Sequence, residues 1–183
     1  MADIIRPTVA GMKAAGTPFT GFLYAGLMIG PDGIPRVLEY NCRLGDPEAQ
    51  PLLMRLSSNV FDLIQAALAG QLHQLPPLSW AKQTALAVVL VSGEYPESGP
   101  TGLPIDGLTT LPSTCTVFHA ATQASANGWV TSGGRVLTLA TLADDLAQAR
   151  AALAPHLEQV HWPNRQYRKD IGARACNKVE VVE

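Results

Sequence analysis

The pair Pro76-Pro77 divides this 183-residue chain into two stretches whose hydrophobic patterns differ in period, and that difference restricts it to a mixed fold. Before the pair, Leu52, Leu53, Leu56, Val60, Phe61, Ile64, Ala67 and Leu68 recur at three- and four-residue steps, the pattern of amphipathic helix. After it, Thr84 to Ser92 is a continuous apolar run, Thr116 to Gln123 alternates loosely, Asn127-Gly128 is a hairpin signal, and Arg135 to Leu142 is apolar again. These are strand patterns. The expected class is therefore α+β: a small sheet with flanking helices over 1–72, a linker at 73–82, and a compact domain of antiparallel strands with one long helix over 83–183.

Within the first stretch, Ile4, Ile5, Val9, Met12 and Ala15 predict a helix over 2–15 with Pro7 in its first turn, ended by Gly16-Thr17-Pro18. Phe19 to Ile29 reads as a buried strand, and Pro31-Asp32-Gly33 as a turn into a second strand, 35–41. Pairing as a hairpin sets Tyr24 to Met28 beside that second strand. Asp46 or a neighbour caps the helical region from Pro47, Asn59 starts a second helix, Gly70 stops it, and the periodic apolar positions are expected in the core. In the second stretch, Gly93 to Pro112 reads as an extended loop and Gly133-Gly134-Arg135 as a tight turn. Leu146, Ala149, Leu153 and Leu157 share a face of an alanine-rich helix that opens at Asp144-Asp145 and ends near Pro155.

Chemistry concentrates in Val37-Leu38-Glu39-Tyr40-Asn41-Cys42-Arg43-Leu44-Gly45-Asp46-Pro47-Glu48. On a strand, side chains two apart share a face, so Val37, Glu39 and Asn41 point one way and Leu38 and Tyr40 the other. Glu39 and Asn41 then lie ~6.5–7 Å apart at Cα, close enough to converge on one ion. A carboxylate with an amide carbonyl suits a hard cation such as Mg²⁺, which also takes phosphate oxygens. By spacing alone, Glu-x-Asn on a strand is more often a solvated face than a metal site; the Arg43–Glu48 run that follows shifts that weighting. Arg43 offers a planar charged fork for phosphate or carboxylate, and the Gly45-Asp46-Pro47 turn holds Asp46 and Glu48 beside the strand end.

Composition narrows the rest. With 47% hydrophobic and 15% charged residues, the chain can bury a substantial core. A net charge of −2 gives no basis for nucleic-acid binding, although Arg165, Arg168, Lys169 and Arg174 gather near the end, as a solvated helix face or as a holder of an anionic substrate. Cys42, Cys115 and Cys176 fit neither a disulfide framework nor a zinc site, so a reducing cytoplasm is expected. No apolar run reaches the ~18 residues of a membrane span, and no leader pattern opens the chain. His73, His119, His156 and His161 have no catalytic partner at recognisable spacing.

Gly21-Phe22-Leu23-Tyr24-Ala25-Gly26-Leu27-Met28-Ile29 and Leu38-Glu39-Tyr40-Asn41-Cys42-Arg43-Leu44-Gly45-Asp46-Pro47-Glu48-Ala49-Gln50-Pro51 resemble the end of the ATP-grasp region of the phosphoribosylamine–glycine ligase family. The likeness continues through Ser92-Gly93-Glu94-Tyr95-Pro96, Thr131-Ser132-Gly133-Gly134-Arg135-Val136-Leu137 and Tyr167-Arg168-Lys169-Asp170-Ile171-Gly172, so it covers nearly the whole chain. It implies an ATP-dependent carboxylate–amine ligase of purine synthesis, acting on ATP, glycine and 5-phosphoribosylamine. Glu39 and Asn41 would hold Mg²⁺ or Mn²⁺, Arg43 would be catalytic through phosphate or acyl-phosphate charge, and Asp46 and Glu48 would bind substrate. Many ATP-grasp enzymes carry another metal-binding carboxylate on the preceding strand; none stands between Phe19 and Gly30 here, so Glu39 and Asn41 are the ligands expected from this segment. The resemblance is to the last part of that family only. The chain is therefore expected to be inactive alone and to need an N-terminal half. The alternatives are a non-catalytic association module, a separately encoded half completing a partner's site, or an ATP-grasp ligase for another substrate.

Overall fold

The computed structural model describes residues 3–176. It is an α+β structure that forms two compact units: the chain up to Ala49 with Ser57–Ser79, and Gln50–Leu56 with the chain from Trp80 onward.

The first unit opens with helix α1, Ile5–Ala14, which takes Pro7 in its first turn, where a missing N–H costs no intrahelical bond. Strands β1, Tyr24–Ile29, and β2, Pro35–Asn41, pair antiparallel. Their turn closes through the Gly33 N–H to the Gly30 carbonyl at 3.0 Å, with Gly33 at φ +71°. Asp32 holds it by accepting from Ile34 N at 3.0 Å and pairing with Arg36 at 2.6 Å. The Thr8 and Tyr40 hydroxyls, 2.7 Å apart, tie α1 to β2. Helix α2, Ala49–Arg55, belongs with the second unit from Gln50 on; back in the first, helix α3, Val60–Leu68, begins as expected at Asn59, whose side chain accepts from Phe61 N at 2.9 Å. Gly70, at φ +69°, ends it, and a single 3-10 turn occupies Leu72–Gln74.

Two expectations fail in this unit. The strand begins at Tyr24, not Phe19, and its far end is open to solvent, with Met28 56% and Ile29 65% exposed. The periodic apolar residues expected in a core are largely exposed as well: Phe61, Ile64 and Leu68 all lie at the surface. A two-stranded sheet offers too little surface to bury the apolar face of a helix such as α3.

The second unit is built on β7, Arg135–Ala143, with every residue from Val136 to Thr141 buried. It lies between β3, Thr84–Val91, and β4, Thr116–His119, in an antiparallel sheet of order β3-β7-β4. The loosely alternating run after Thr116 splits in two: β4 ends at His119, and β5, Thr122–Ser125, pairs with β6, Gly128–Thr131. Helix α4, Leu146–Gln159, packs on β3 and β7 through Ala149, Leu153 and Leu157, into a core completed by Val160 and Trp162. Asp145 caps it, accepting from Gln148 N at 2.8 Å while the Gln148 side chain returns to its other oxygen at 2.8 Å. The helix runs through Pro155 instead of ending there. Proline removes one bond, to the exposed Ala151, while buried Leu153 and Leu157 anchor the helix on either side. A short helix α5, Ala173–Cys176, closes the described chain. No helix among the described residues is long and apolar enough to cross a membrane.

Because Leu153 is 1% exposed and Leu68 is 77% exposed, their truncations should separate cleanly. In urea titrations, Leu153→Ala is expected to cost about 2–5 kcal/mol, the range for emptying a packed leucine site. Leu68→Ala should stay within about 0.5 kcal/mol of the parent, as surface substitutions do.

Candidate functional site

The β1–β2 register decides which side chains meet. Tyr24 pairs with Asn41 and Gly26 with Glu39, but Leu27 pairs with Val37, so β2 carries one extra residue, a bulge, between these pairs. Paired residues share a face, and neighbours on a strand do not. Tyr24, Gly26, Glu39 and Asn41 therefore form one face, whereas Val37, opposite Leu27, leaves it. Strict alternation had put Val37 on the Glu39 face; the bulge, which has no sequence signature here, removes it.

On this face the Asn41 amide donates to Glu39 Oε1 at 2.9 Å, so the two expected ligands are brought together. Across from Glu39 stands a glycine: a Cβ on Gly26 would lie 3.1 Å from Glu39 Cγ, tight enough to press the carboxylate aside. The donor set is two hard oxygens, the Glu39 carboxylate and, with its amide turned over, the Asn41 carbonyl, and it suits Mg²⁺ or Mn²⁺. Among the described residues no three His, Cys, Asp or Glu side chains group as a metal cage. Glu39 with Asn41 offers two oxygen donors, fewer than a hard cation takes, so phosphate oxygens would have to complete the shell of any such ion.

The turn after β2 brings a further carboxylate to the same face. The Tyr24 hydroxyl donates to Glu48 Oε1 at 3.4 Å, and the Glu48 charge beside it, with a smaller contribution from Glu39, raises the Tyr24 pKa above the usual phenol value. Gly45 is buried, and a Cβ there would run into the Glu48 carboxylate, so the Gly45-Asp46-Pro47 turn folds Glu48 back over a residue without a side chain. Ala49 N closes the turn on Gly45 O at 2.9 Å, and the Asp46-Pro47 peptide is cis. Arg43 is exposed and donates to the Leu44 carbonyl at 3.1 Å; Asp46 is exposed on the same turn. The structure thus brings Asn41 to Glu39, and Tyr24, paired with Asn41 across the strands, to Glu48, while Arg43 and Asp46 occupy the open turn that follows.

Sequence reasoning missed Tyr24. Its signal was available only through pairing: it stands two residues before Gly26 on the strand facing Glu39 and Asn41.

A family model described as phosphoribosylglycinamide synthetase, ATP-grasp (A) domain, matches residues 1–49, and one described as phosphoribosylglycinamide synthetase, C domain, matches residues 85–174. Phosphoribosylamine–glycine ligase of Neisseria meningitidis serogroup A is 49% identical over 97% of this chain and 42% of its own length. The enzyme of the same name from Allochromatium vinosum is 47% identical over 96% of this chain and 41% of its own. The crystal structure of phosphoribosylamine–glycine ligase from Thermotoga maritima is similar with a TM-score of 0.75 and 32% identity, over 88% of this chain and 39% of that one. The chain spans about two fifths of the length of these relatives.

If the Glu48 charge is what raises the Tyr24 phenol, Glu48→Gln should lower its ionisation toward the ordinary value. Phenolate absorbance followed through an alkaline titration, with Tyr24→Phe to identify the signal, checks this. An unmoved Tyr24 transition would refute the pairing.

Proposed function

The chain belongs to the phosphoribosylglycinamide synthetase family, carrying part of its ATP-grasp domain and its C domain, and from that premise we propose that it is the C-terminal portion of a ligase joining glycine to 5-phosphoribosylamine at the expense of ATP. The observation that carries the reading is the contact between Glu39 and Asn41 opposite the bare Gly26, with the Arg43–Glu48 turn directly after it.

In such a reaction the glycine carboxylate attacks the terminal phosphoryl group of ATP and the bond to the ADP oxygen breaks. The amine of phosphoribosylamine then attacks the acyl phosphate, loses a proton, and phosphate leaves, forming the amide. Two anions must approach in the first step, so catalysis is mainly positioning and charge stabilisation. Glu39 and Asn41 are the residues that would hold Mg²⁺ or Mn²⁺, which when bound withdraws charge from phosphate oxygens. Arg43 brings a permanent positive charge to the phosphoryl or acyl-phosphate oxygens. Glu48, steadied by Tyr24, and Asp46 offer carboxylates to the substrate ammonium. Purine synthesis in a reducing cytoplasm suits the three free cysteines, Cys42, Cys115 and Cys176.

Mixed with the N-terminal portion of the Neisseria relative, the chain should restore ADP release that requires both glycine and phosphoribosylamine. Glu39→Ala should cut that rate ~100-fold or more, as losing a charge-stabilising group does. Alone, the 183-residue chain should turn over no ATP. Turnover by the chain alone, or full activity of Glu39→Ala, would overturn the reading.

A second reading, a non-catalytic association module, draws on the exposure of Met28, Ile29 and Leu38 on the hairpin, each more than half open to solvent. Light scattering that finds a monomer at every concentration would count against it.

A further inference from the structure

The second unit has a cavity of about 230 Å³ that the reading above leaves without a role. Its apolar wall is made by Leu86 and Val88 of β3 and Leu153 and Leu157 of α4, all from the buried core. Arg150, Arg168 and Lys169 line it as well, and among the described residues no carboxylate does. Arg150 comes from α4, while Arg168 and Lys169 come from the segment that the Gln166–Val91 backbone pair, at 2.8 and 2.9 Å, fastens beside β3. Gly172 sets how near this segment lies to α4: with φ +76° and no side chain, its Cβ position is only 3.2 Å from Leu146 Cδ1 and 3.4 Å from Arg150 Cδ. The basic cluster singled out in the sequence is therefore not spread over a helix face; two of its members join Arg150 around one concavity.

We propose that this cavity is a binding site for a small phosphomonoester. Its volume is below that of pockets for drug-sized ligands and suits a phosphate bearing a sugar or an alkyl group. A phosphate dianion gains more than a carboxylate from several cations, and the guanidinium fork matches its oxygens. Arg150 uses one N–H on the Lys169 carbonyl at 3.3 Å, and its other donors suffice for a phosphate. Arg168 is shared with Asp170, at 2.6 and 3.0 Å, so Arg150 and Lys169 carry most of the recognition. Among the described residues Glu158 also acts on Lys169, by charge; its carboxylate is bound by the Tyr167 hydroxyl and paired with Arg165, so it competes for Lys169 less than an unpartnered acid would. The apolar wall keeps water off one side of the anion and strengthens the attraction.

The site rests on the proposed ligase only for the choice of probe, since both the phosphorylated sugar substrate and the phosphate product carry this chemistry. The isolated chain, labelled for amide NMR, is titrated with ribose 5-phosphate, with inorganic phosphate and with ribose. Saturable shifts at Leu86, Val88, Arg150 and Lys169 with ribose 5-phosphate, and none with ribose, are expected. Tighter ribose 5-phosphate assigns the site to the sugar phosphate; equal or tighter inorganic phosphate assigns it to free phosphate, and both support the site. Lys169→Gln, at an exposed side chain, and Arg150→Gln should each weaken binding roughly tenfold with the remaining spectrum unchanged. Absence of saturable shifts, or equal affinity in both variants, would overturn the proposal. Ligase turnover is not read, so failure of the ligase reading and failure of this site appear separately.

Discussion

Glu39 stands opposite a residue with no side chain, and the candidate face of the first unit follows from that. Cross-strand partners lie close enough that a Cβ on Gly26 would press on the Glu39 side chain at 3.1 Å, so glycine leaves the carboxylate room to turn toward Asn41. The same device recurs at Gly45, where a missing side chain lets Glu48 fold back to the Tyr24 hydroxyl. Two glycines thereby give room to two carboxylates, Glu39 beside the Asn41 amide and Glu48 beside the Tyr24 hydroxyl. The raised Tyr24 phenol registers the Glu48 charge first, then its own burial and the Glu48 hydrogen bond, with Glu39 contributing least.

The second unit solves a different problem. Its central strand β7 is buried from Val136 to Thr141, so both of its faces need cover, and α4 supplies one layer through Ala149, Leu153 and Leu157. The chain after Trp162 then returns along β3, held by Gln166, and the Tyr167 hydroxyl and Arg165 meet at Glu158. The Tyr167 hydrogen bond, ahead of the Arg165 charge, keeps the Glu158 carboxyl below its ordinary range. Arg165 also donates to the Leu157 carbonyl, one of the acceptors left open near the end of α4.

Much of this was legible locally. The turn at Pro31-Asp32-Gly33, the limits of β2, the cap at Asn59, the stop at Gly70 and the apolar face of α4 depend on neighbours within a few residues, and the structure follows them. The errors were non-local. Residues 47–70 have a core-like period, yet Phe61 is 63% exposed, because periodicity says that a helix has an apolar face and not what covers it. Pro155 was read as a stop, and the packing of Leu153 and Leu157 outweighed the one bond it removes.

The candidate site divides in the same way. The types and order of Glu39, Asn41, Arg43, Asp46 and Glu48 are written in the chain, and residue type is enough to specify a hard-oxygen donor set beside a phosphate-matching arginine. Which of them meet was decided by tertiary structure. A bulge in β2 moved Val37 off the face, pairing with β1 brought in Tyr24, and folding set Arg150 beside Lys169 from nineteen positions away. The physical reason is range: helix and turn preferences act over a few residues, whereas register and packing depend on partners whose distance along the chain carries no local signal.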